Sequence, residues 1–255
     1  MSWIDTDAHP IADVDYRAQC ADQLDSAGAL VLSGFFSGAF VDAVRAESAD
    51  REAEGYFASS THNIWLTPPD PQLGEDHIYN RQIVSTKGLL ADDQVAPDSP
   101  LRAVYDDEVF RSFIADVVGV DAVHPYDDAL SSINVHFHRD GEELGWHFDN
   151  SSFAVTMLIQ PPEAGGEFEY VKDLRNAEAG EQNFAGVQTA IDTRTGVETL
   201  TFDPTDLVLF RGRNSMHRVA PSRGQRTRIL VVMAFNTEAG IGLSESAKAT
   251  FYGRS

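Results

Sequence analysis

Seven short segments between residues 131 and 236 constrain this chain more than anything else in it. Ser131 to His138, Phe153 to Gln160, Gly166 to Val171, Val187 to Asp192, Val197 to Phe202, Leu207 to Arg211 and Arg226 to Asn236 are rich in Val, Ile, Phe and Thr, with Gly, Pro and Asn between them. Branched and aromatic side chains suit a pleated, half-buried surface, and short strands separated by turn residues make a sandwich or a barrel. Residues 1–128 have a different texture. An apolar stripe over residues 14 to 27 stops at Gly28, and Ala29 to Leu32 reads as a short strand. Ser37 caps a helix that places Phe40, Val41 and Val44 on one face and runs to about Glu54. Ser59 to Pro100 reads as irregular, with one strand near His77 to Val84, and such loops often cover a site. Ser99-Pro100 opens a helix that carries Val104, Phe110, Phe113 and Val117 to Gly119. The fold class predicted is α+β, mainly β. A helical part over residues 1–128 packs on one β-barrel core of about 129–236, followed by a tail over 237–255, all in a single domain.

Charge then narrows the partners. The 19 Lys and Arg against 40 Asp and Glu leave a net charge of −21, which repels nucleic acid phosphates and anionic lipid surfaces. A cationic ligand gains from such a field, and so does plain solubility. Cys20 is the one cysteine, which rules out an internal disulfide and the usual thiolate metal sites; its i, i+4 spacing with Tyr16 and Leu24 suits a buried helix face. No run of about 18 apolar residues exists, and the opening MSWIDTDAHPIADVDYR is acidic where a leader peptide is basic and then apolar, so a cytoplasmic location is expected.

Chemistry concentrates in Gly145-Trp146-His147-Phe148-Asp149-Asn150 and, further on, Ser215-Met216-His217-Arg218-Val219. Side chains alternate faces along an extended segment, so His147 and Asp149 point one way and Phe148 the other. Two imidazoles and one carboxylate on one face of an octahedron describe a non-haem ferrous site with positions left for a co-substrate and dioxygen. Arg226 and Arg228 follow His217 two residues apart; on one strand face they share the space that His217 looks into, and a buried guanidinium there needs an anion.

Taken together, Gly145 to Ser152, the stretch Gln160-Pro161-Pro162-Glu163-Ala164-Gly165-Gly166-Glu167-Phe168-Glu169-Tyr170, Phe210-Arg211-Gly212-Arg213 leading to His217-Arg218-Val219, and the closing Phe251-Tyr252-Gly253-Arg254 resemble the Fe(II)/2-oxoglutarate-dependent oxygenases. More narrowly, they resemble the branch that holds radical halogenases and hydroxylases of free amino acids, lysine above all. The resemblance implies a double-stranded β-helix of the jelly-roll, cupin-like kind. It implies Fe(II) held by His147, Asp149 and His217, with 2-oxoglutarate and O2 as co-substrates. Arg228, alone or with Arg226, would hold the distal carboxylate. Halogenase members carry Gly or Ala where this chain has Asp149, so hydroxylation is expected and chlorination is not. The implied chemistry is oxidative decarboxylation of 2-oxoglutarate to succinate and CO2, hydrogen abstraction by a ferryl oxo species, and hydroxyl rebound.

Other side chains carry two readings each. Asn134, His136 and His138 alternate with Ile133, Val135 and Phe137, so one strand face is polar, either lining the co-substrate and substrate pocket or turned outward. Arg81 is either a clamp for an amino acid carboxylate or a surface charge, and Asn150 either contacts the substrate or ends a strand. Trp146 and Phe148 suit packing or substrate contact. The expected substrate is a free amino acid, cationic in character. The rivals are a non-catalytic barrel that binds a metal or ligand, and an oxygenase of peptide side chains or of a natural-product intermediate.

Overall fold

The computed structural model describes residues 3–254. In chain order its elements are α1 (Val14–Ala27), β1 (Ala29–Leu32), α2 (Gly38–Arg51), β2 (Tyr56–His62), β3 (Ile83–Leu90), α3 (Pro100–Tyr105), α4 (Glu108–Val118), β4 (Ile133–His138), β5 (Leu144–His147) and β6 (Ala154–Gln160). They continue with β7 (Ala164–Gly165), β8 (Phe168–Val171), α5 (Phe184–Thr193), β9 (Glu198–Leu200), β10 (Leu207–Phe210), β11 (Met216–Val219), β12 (Ser222–Arg223), β13 (Arg228–Met233) and α6 (Glu245–Tyr252). Helix α1 starts because the Asp13 carboxylate accepts the Tyr16 N–H, and it stops where Gly28 takes φ 72° and returns its N–H to Leu24.

Two antiparallel sheets organise the strands. The larger runs β1-β10-β6-β13-β4-β3-β2 and the smaller β5-β11-β8-β9, with β12 and β7 forming a short pair. The fold is mainly β with a few helices; the hydrogen-bond ladders leave open edges at β1 and β2, and no closed barrel forms among the described strands. The sheet also recruits strands from outside residues 129–236. β1 takes one edge through Ala29↔Phe210 to Leu32↔Leu207, and β3 with β2 takes the other.

Alternation on β4 sets the layers. Ile133, Val135 and Phe137 enter a core with Leu24, Phe40, Val44, Phe113 and Val117 from the helices and Ile229 and Val231 from β13. Each such side chain, taken from water, contributes about 1.5–3 kcal/mol. Asn134, His136 and His138 therefore leave the other face, toward the smaller sheet. On the opposite face of the smaller sheet, where Trp146 and Met216 alternate with His147 and His217, a second cluster adds Ile64, Trp65, Phe148 and Val187, so Trp146 and Phe148 are packing residues.

Several expectations need correction. Residues 59–100 are irregular for the most part, as expected, but the strands lie elsewhere: in place of one near His77 to Val84, β2 and β3 pair over seven residues from Tyr56↔Leu89 to His62↔Ile83, and Pro and Gly lie in the connection between them. Val187 to Asp192 is helical, since Asn183 caps α5 by accepting the Gly186 N–H and Val187 and Ala190 bury one helical stripe. The helix expected from Ser99 to Gly119 is two, because the Asp107 carboxylate caps a new start at Phe110 N. The tail beyond 237 holds α6, whose end is fastened by a bidentate pair from Arg254 to Asp93 at 2.7 and 2.6 Å. Among the described residues no helix is long and apolar enough to cross a membrane.

Candidate metal centre

β5 and β11 are hydrogen-bonded neighbours in the smaller sheet, and His147 lies directly opposite His217 in their register. Opposed residues of an antiparallel pair project to one face, so the two imidazoles meet, with ring centroids 4.2 Å apart. The chain then leaves β5. The Phe148 N–H is bonded to Ile64 O at 2.9 Å and the Asp149 N–H to Gly212 O at 3.1 Å, which turns the Phe148 ring to the second cluster and Asp149 back to the imidazoles. Asp149 Oδ1 lies 3.6 Å from His147 Nε2 and 3.6 Å from His217 Nε2. One ligand atom from each of the three residues falls within 4.8 Å of the others.

Both imidazoles are oriented in the same way. His147 Nδ1 is 2.8 Å from Gly145 O and His217 Nδ1 is 3.0 Å from Ser215 O, in each case the carbonyl two residues back. A carbonyl only accepts, so Nδ1 carries the proton and donates it, and the Nε2 lone pair faces the shared point. Burial opposes charge on Asp149, but the flanking His217 and His147 imidazoles hold its carboxyl well below the usual carboxylate range. Burial, and then the neighbouring His217, depress His147. Phe168 stacks on the His217 ring at 5.5 Å and Phe210 meets it edge-on at 4.9 Å. Gly212 is required by contact: a Cβ there would stand 1.9 Å from Asp149 Oδ2.

The facing interior is basic. Arg228, first residue of β13 and 1% exposed, is paired in register with His138 on β4. It forms no ion pair among the described residues, its Nη1 has no hydrogen-bond partner, and burial pushes its guanidinium down to about 10. His138 has neither ring nitrogen bonded, and Asn134 donates Nδ2 to Ser131 O at 2.8 Å while its Oδ1 stays unpartnered. Burial of polar groups without partners costs several kcal/mol, so such a set persists where a polar ligand completes it. Two nitrogens and one oxygen without sulfur suit Fe(II), and the unpaired guanidinium suits the far carboxylate of 2-oxoglutarate.

The structure brings some of the other sequence candidates here and sends others away. Asn134 and His136 share the interior face with Arg228; His136 is half-buried, its Nδ1 3.5 Å from Lys87 Nζ. Arg226 does not join them. It precedes β13, is exposed, and donates to Pro161 O and Pro162 O at 2.8 Å each, so the two-residue alternation assumed for it does not extend that far. Arg81 is likewise exposed and ion-paired at 3.1 Å with Asp192 of α5, which is a surface pair. Asn150 is exposed, and its backbone carbonyl accepts from Arg213 Nη1 at 2.7 Å. Sequence reasoning missed Lys87, because β3 was not expected to run past Val84, and gave no role to Gly212, Phe168 or Phe210. Phe168 and Phe210 did carry a signal, since each sits in a stretch already singled out.

Comparison with known proteins agrees with this geometry. The family model of halogenase D (HalD) matches residues 85–250. No curated protein sequence matches the chain. Among solved structures, an oxidoreductase of the 2OG-Fe(II) oxygenase family from Burkholderia pseudomallei is similar at 14% identity and TM-score 0.52, covering 89% of this chain and 93% of its own. A Pseudomonas putida prolyl-4-hydroxylase is similar at 14% identity and TM-score 0.53, covering 88% and 100%. The epimerase SnoN, solved with Fe3+, alpha ketoglutarate and nogalamycin RO, is similar at 14% identity and TM-score 0.58, covering 91% and 93%. At these identities the likeness is one of fold, the jelly roll of the oxygenases. The family match spans more than half of the sequence and includes all three convergent ligands, and on that ground this chain belongs to the halogenase D family of Fe(II)/2-oxoglutarate oxygenases.

Proposed function

We propose that the chain is an Fe(II)- and 2-oxoglutarate-dependent hydroxylase of a free amino acid, with lysine or another basic amino acid as substrate. The carrying observation is the convergence of His147 Nε2, His217 Nε2 and Asp149 Oδ1 opposite an unpaired, buried Arg228. When bound, Fe(II) with 2-oxoglutarate and O2 supplies oxidation of a C–H bond, with succinate and CO2 as co-products. The protein's own part is positional. The Gly145 and Ser215 carbonyls fix both imidazoles, and Gly212 leaves room for the Asp149 carboxylate to stand beside them. Phe168 and Phe210 keep water from the His217 ring, and Arg228 offers a fork of donors to a carboxylate. Asp149 supports hydroxylation over chlorination, because its oxygen fills the position that a halide needs. A basic amino acid is supported by the family resemblance and by the net charge of −21. The reading treats residues 1–255 as one catalytic domain, supported by a core that runs from Ile4 to Phe235. It places the enzyme in the cytoplasm, whose reducing conditions suit ferrous iron and the free thiol of Cys20.

Two measurements test this. Anaerobic addition of Fe(II) and then 2-oxoglutarate is expected to raise a weak visible charge-transfer band. Admission of O2 with a panel of free amino acids and peptides is then expected to give succinate and a gain of one oxygen on a free amino acid, read by mass. A band without succinate on any acceptor would favour a non-catalytic binding protein. Oxygen on peptides alone would move the substrate class, and a gain of chlorine would overturn the role given to Asp149.

A further inference from the structure

One interior charge still has no counterpart. The chain has three lysines, Lys87, Lys172 and Lys248, and the first is built into the larger sheet. Leu89 lies opposite His136 in the β3–β4 register, and Lys87, two residues earlier on β3, leaves the sheet on that same face. Its Nζ lies 3.5 Å from His136 Nδ1, and among the described residues no carboxylate reaches ion-pair distance from it. Burial pushes the amine down to about 8, against a weaker attraction from Asp149. Burial, and then the charges of Lys87, His138 and Arg228, push His136 well below its usual range, so this imidazole is neutral and adds no charge of its own.

Charge accounting shows what is lacking. A dipositive metal, the Asp149 carboxylate, a dianionic 2-oxoglutarate and the Arg228 guanidinium together sum to zero. Protonated Lys87, itself half-buried, leaves one positive charge beside them without a partner, and a carboxylate placed against its Nζ relieves it.

We propose that Lys87 is the anchor for a carboxylate of the acceptor substrate, so that this site takes small carboxylic acids, free amino acids among them. Simple amines and side chains inside a peptide, whose carboxyl is an amide, lack the group that Lys87 recognises. The proposal rests on the function proposed above and narrows it: Arg228 serves the co-substrate and Lys87 the acceptor, from β13 and β3, the two strands that flank β4 on one sheet face.

The test reads Lys87 directly. The full-length protein, holding Mn(II) in place of Fe(II) so that it does not turn over, is labelled with isotope-coded acetic anhydride, and each lysine is quantified by peptide mass spectrometry. Labelling is compared for the protein alone, with 2-oxoglutarate, and with 2-oxoglutarate plus valerate or pentylamine. Valerate is expected to slow labelling of Lys87 at least tenfold and pentylamine less than twofold, with Lys172 and Lys248 unchanged. An unchanged Lys87 rate in valerate overturns the proposal, and so does equal protection by 2-oxoglutarate alone, which would assign Lys87 to the co-substrate. In turnover, Lys87→Met is expected to raise the KM for the amino acid acceptor at least tenfold, with kcat and the KM for 2-oxoglutarate within threefold and partial rescue by Lys87→Arg. An unchanged acceptor KM overturns it. A wild-type protein that oxidises no free amino acid would sink the broader reading, whereas the labelling arm needs neither turnover nor a variant.

Discussion

The two faces of β4 differ as sharply as any two regions of this molecule. Ile133, Val135 and Phe137 look into the hydrophobic core closed by α1, α2 and α4. Asn134, His136 and His138, interleaved with them, look into a space that also holds Arg228 and Lys87, where polar atoms lack partners. One face is complete without any ligand; the other is complete only with ligands. Stability and function are thus carried on opposite sides of one strand, and a substitution should disturb mainly the side it touches.

The sharpest break is on the ligand side. Asp149→Gly is expected to abolish oxygen incorporation and to open a position for chloride, while thermal unfolding of the variant stays close to wild type; a wild-type hydroxylation rate by product mass would contradict the ligand assignment. On the other side, Phe137→Ala leaves a cavity in the helix-covered core and should lower the free energy of unfolding by about 3–5 kcal/mol in a denaturant titration. Its 2-oxoglutarate affinity should be retained in the fraction that stays folded. Arg228→Ala is expected to raise the KM for 2-oxoglutarate roughly 100-fold, since a buried carboxylate loses its charge partner. A smaller change there would mean that the co-substrate sits elsewhere.

Acid should separate the faces further. Burial above all, with the charges of Lys87 and Arg228, pushes His136 and His138 well below their usual range, so the folded protein keeps them neutral where the unfolded chain takes up protons. Stability contributed in this way is present above about pH 6.5 and falls as pH drops below it, by up to about 1.4 kcal/mol per pH unit for each imidazole. Unfolding curves between pH 7 and 5 check this, and replacing both residues by Asn should flatten the slope. The smallest effect is expected outside both faces. Arg226→Ala removes exposed donors to two proline carbonyls and should leave the KM for 2-oxoglutarate within twofold.

The contrast also explains which parts of the molecule were legible in the sequence. Strict alternation carried the ligand pair, because His147 and Asp149 belong to a strand end with an apolar residue between them, and it carried the two faces of β4. Alternation failed where the strand was shorter than the segment read as one, as at Arg226, which lies before β13 begins. Periodicity over few residues misled at Val187 to Asp192, where Val, Ala and Ile are as compatible with a helix stripe as with a strand, and the deciding Asn183 cap lies upstream. β2 and β3 were hidden by distance: their hairpin spans residues 63–82, so the pairing that makes them strands is not local. Lys87 was hidden with them, since its meaning comes from His136 on a partner strand.

The most direct measurement is anomalous diffraction at the iron edge from crystals grown anaerobically with Fe(II) and 2-oxoglutarate. The account predicts one iron peak bounded by His147 Nε2, His217 Nε2 and Asp149, with the far carboxylate of 2-oxoglutarate on the Arg228 guanidinium. Iron bound elsewhere, or a carboxylate seated on Arg226 with Arg228 still unpaired, would contradict it.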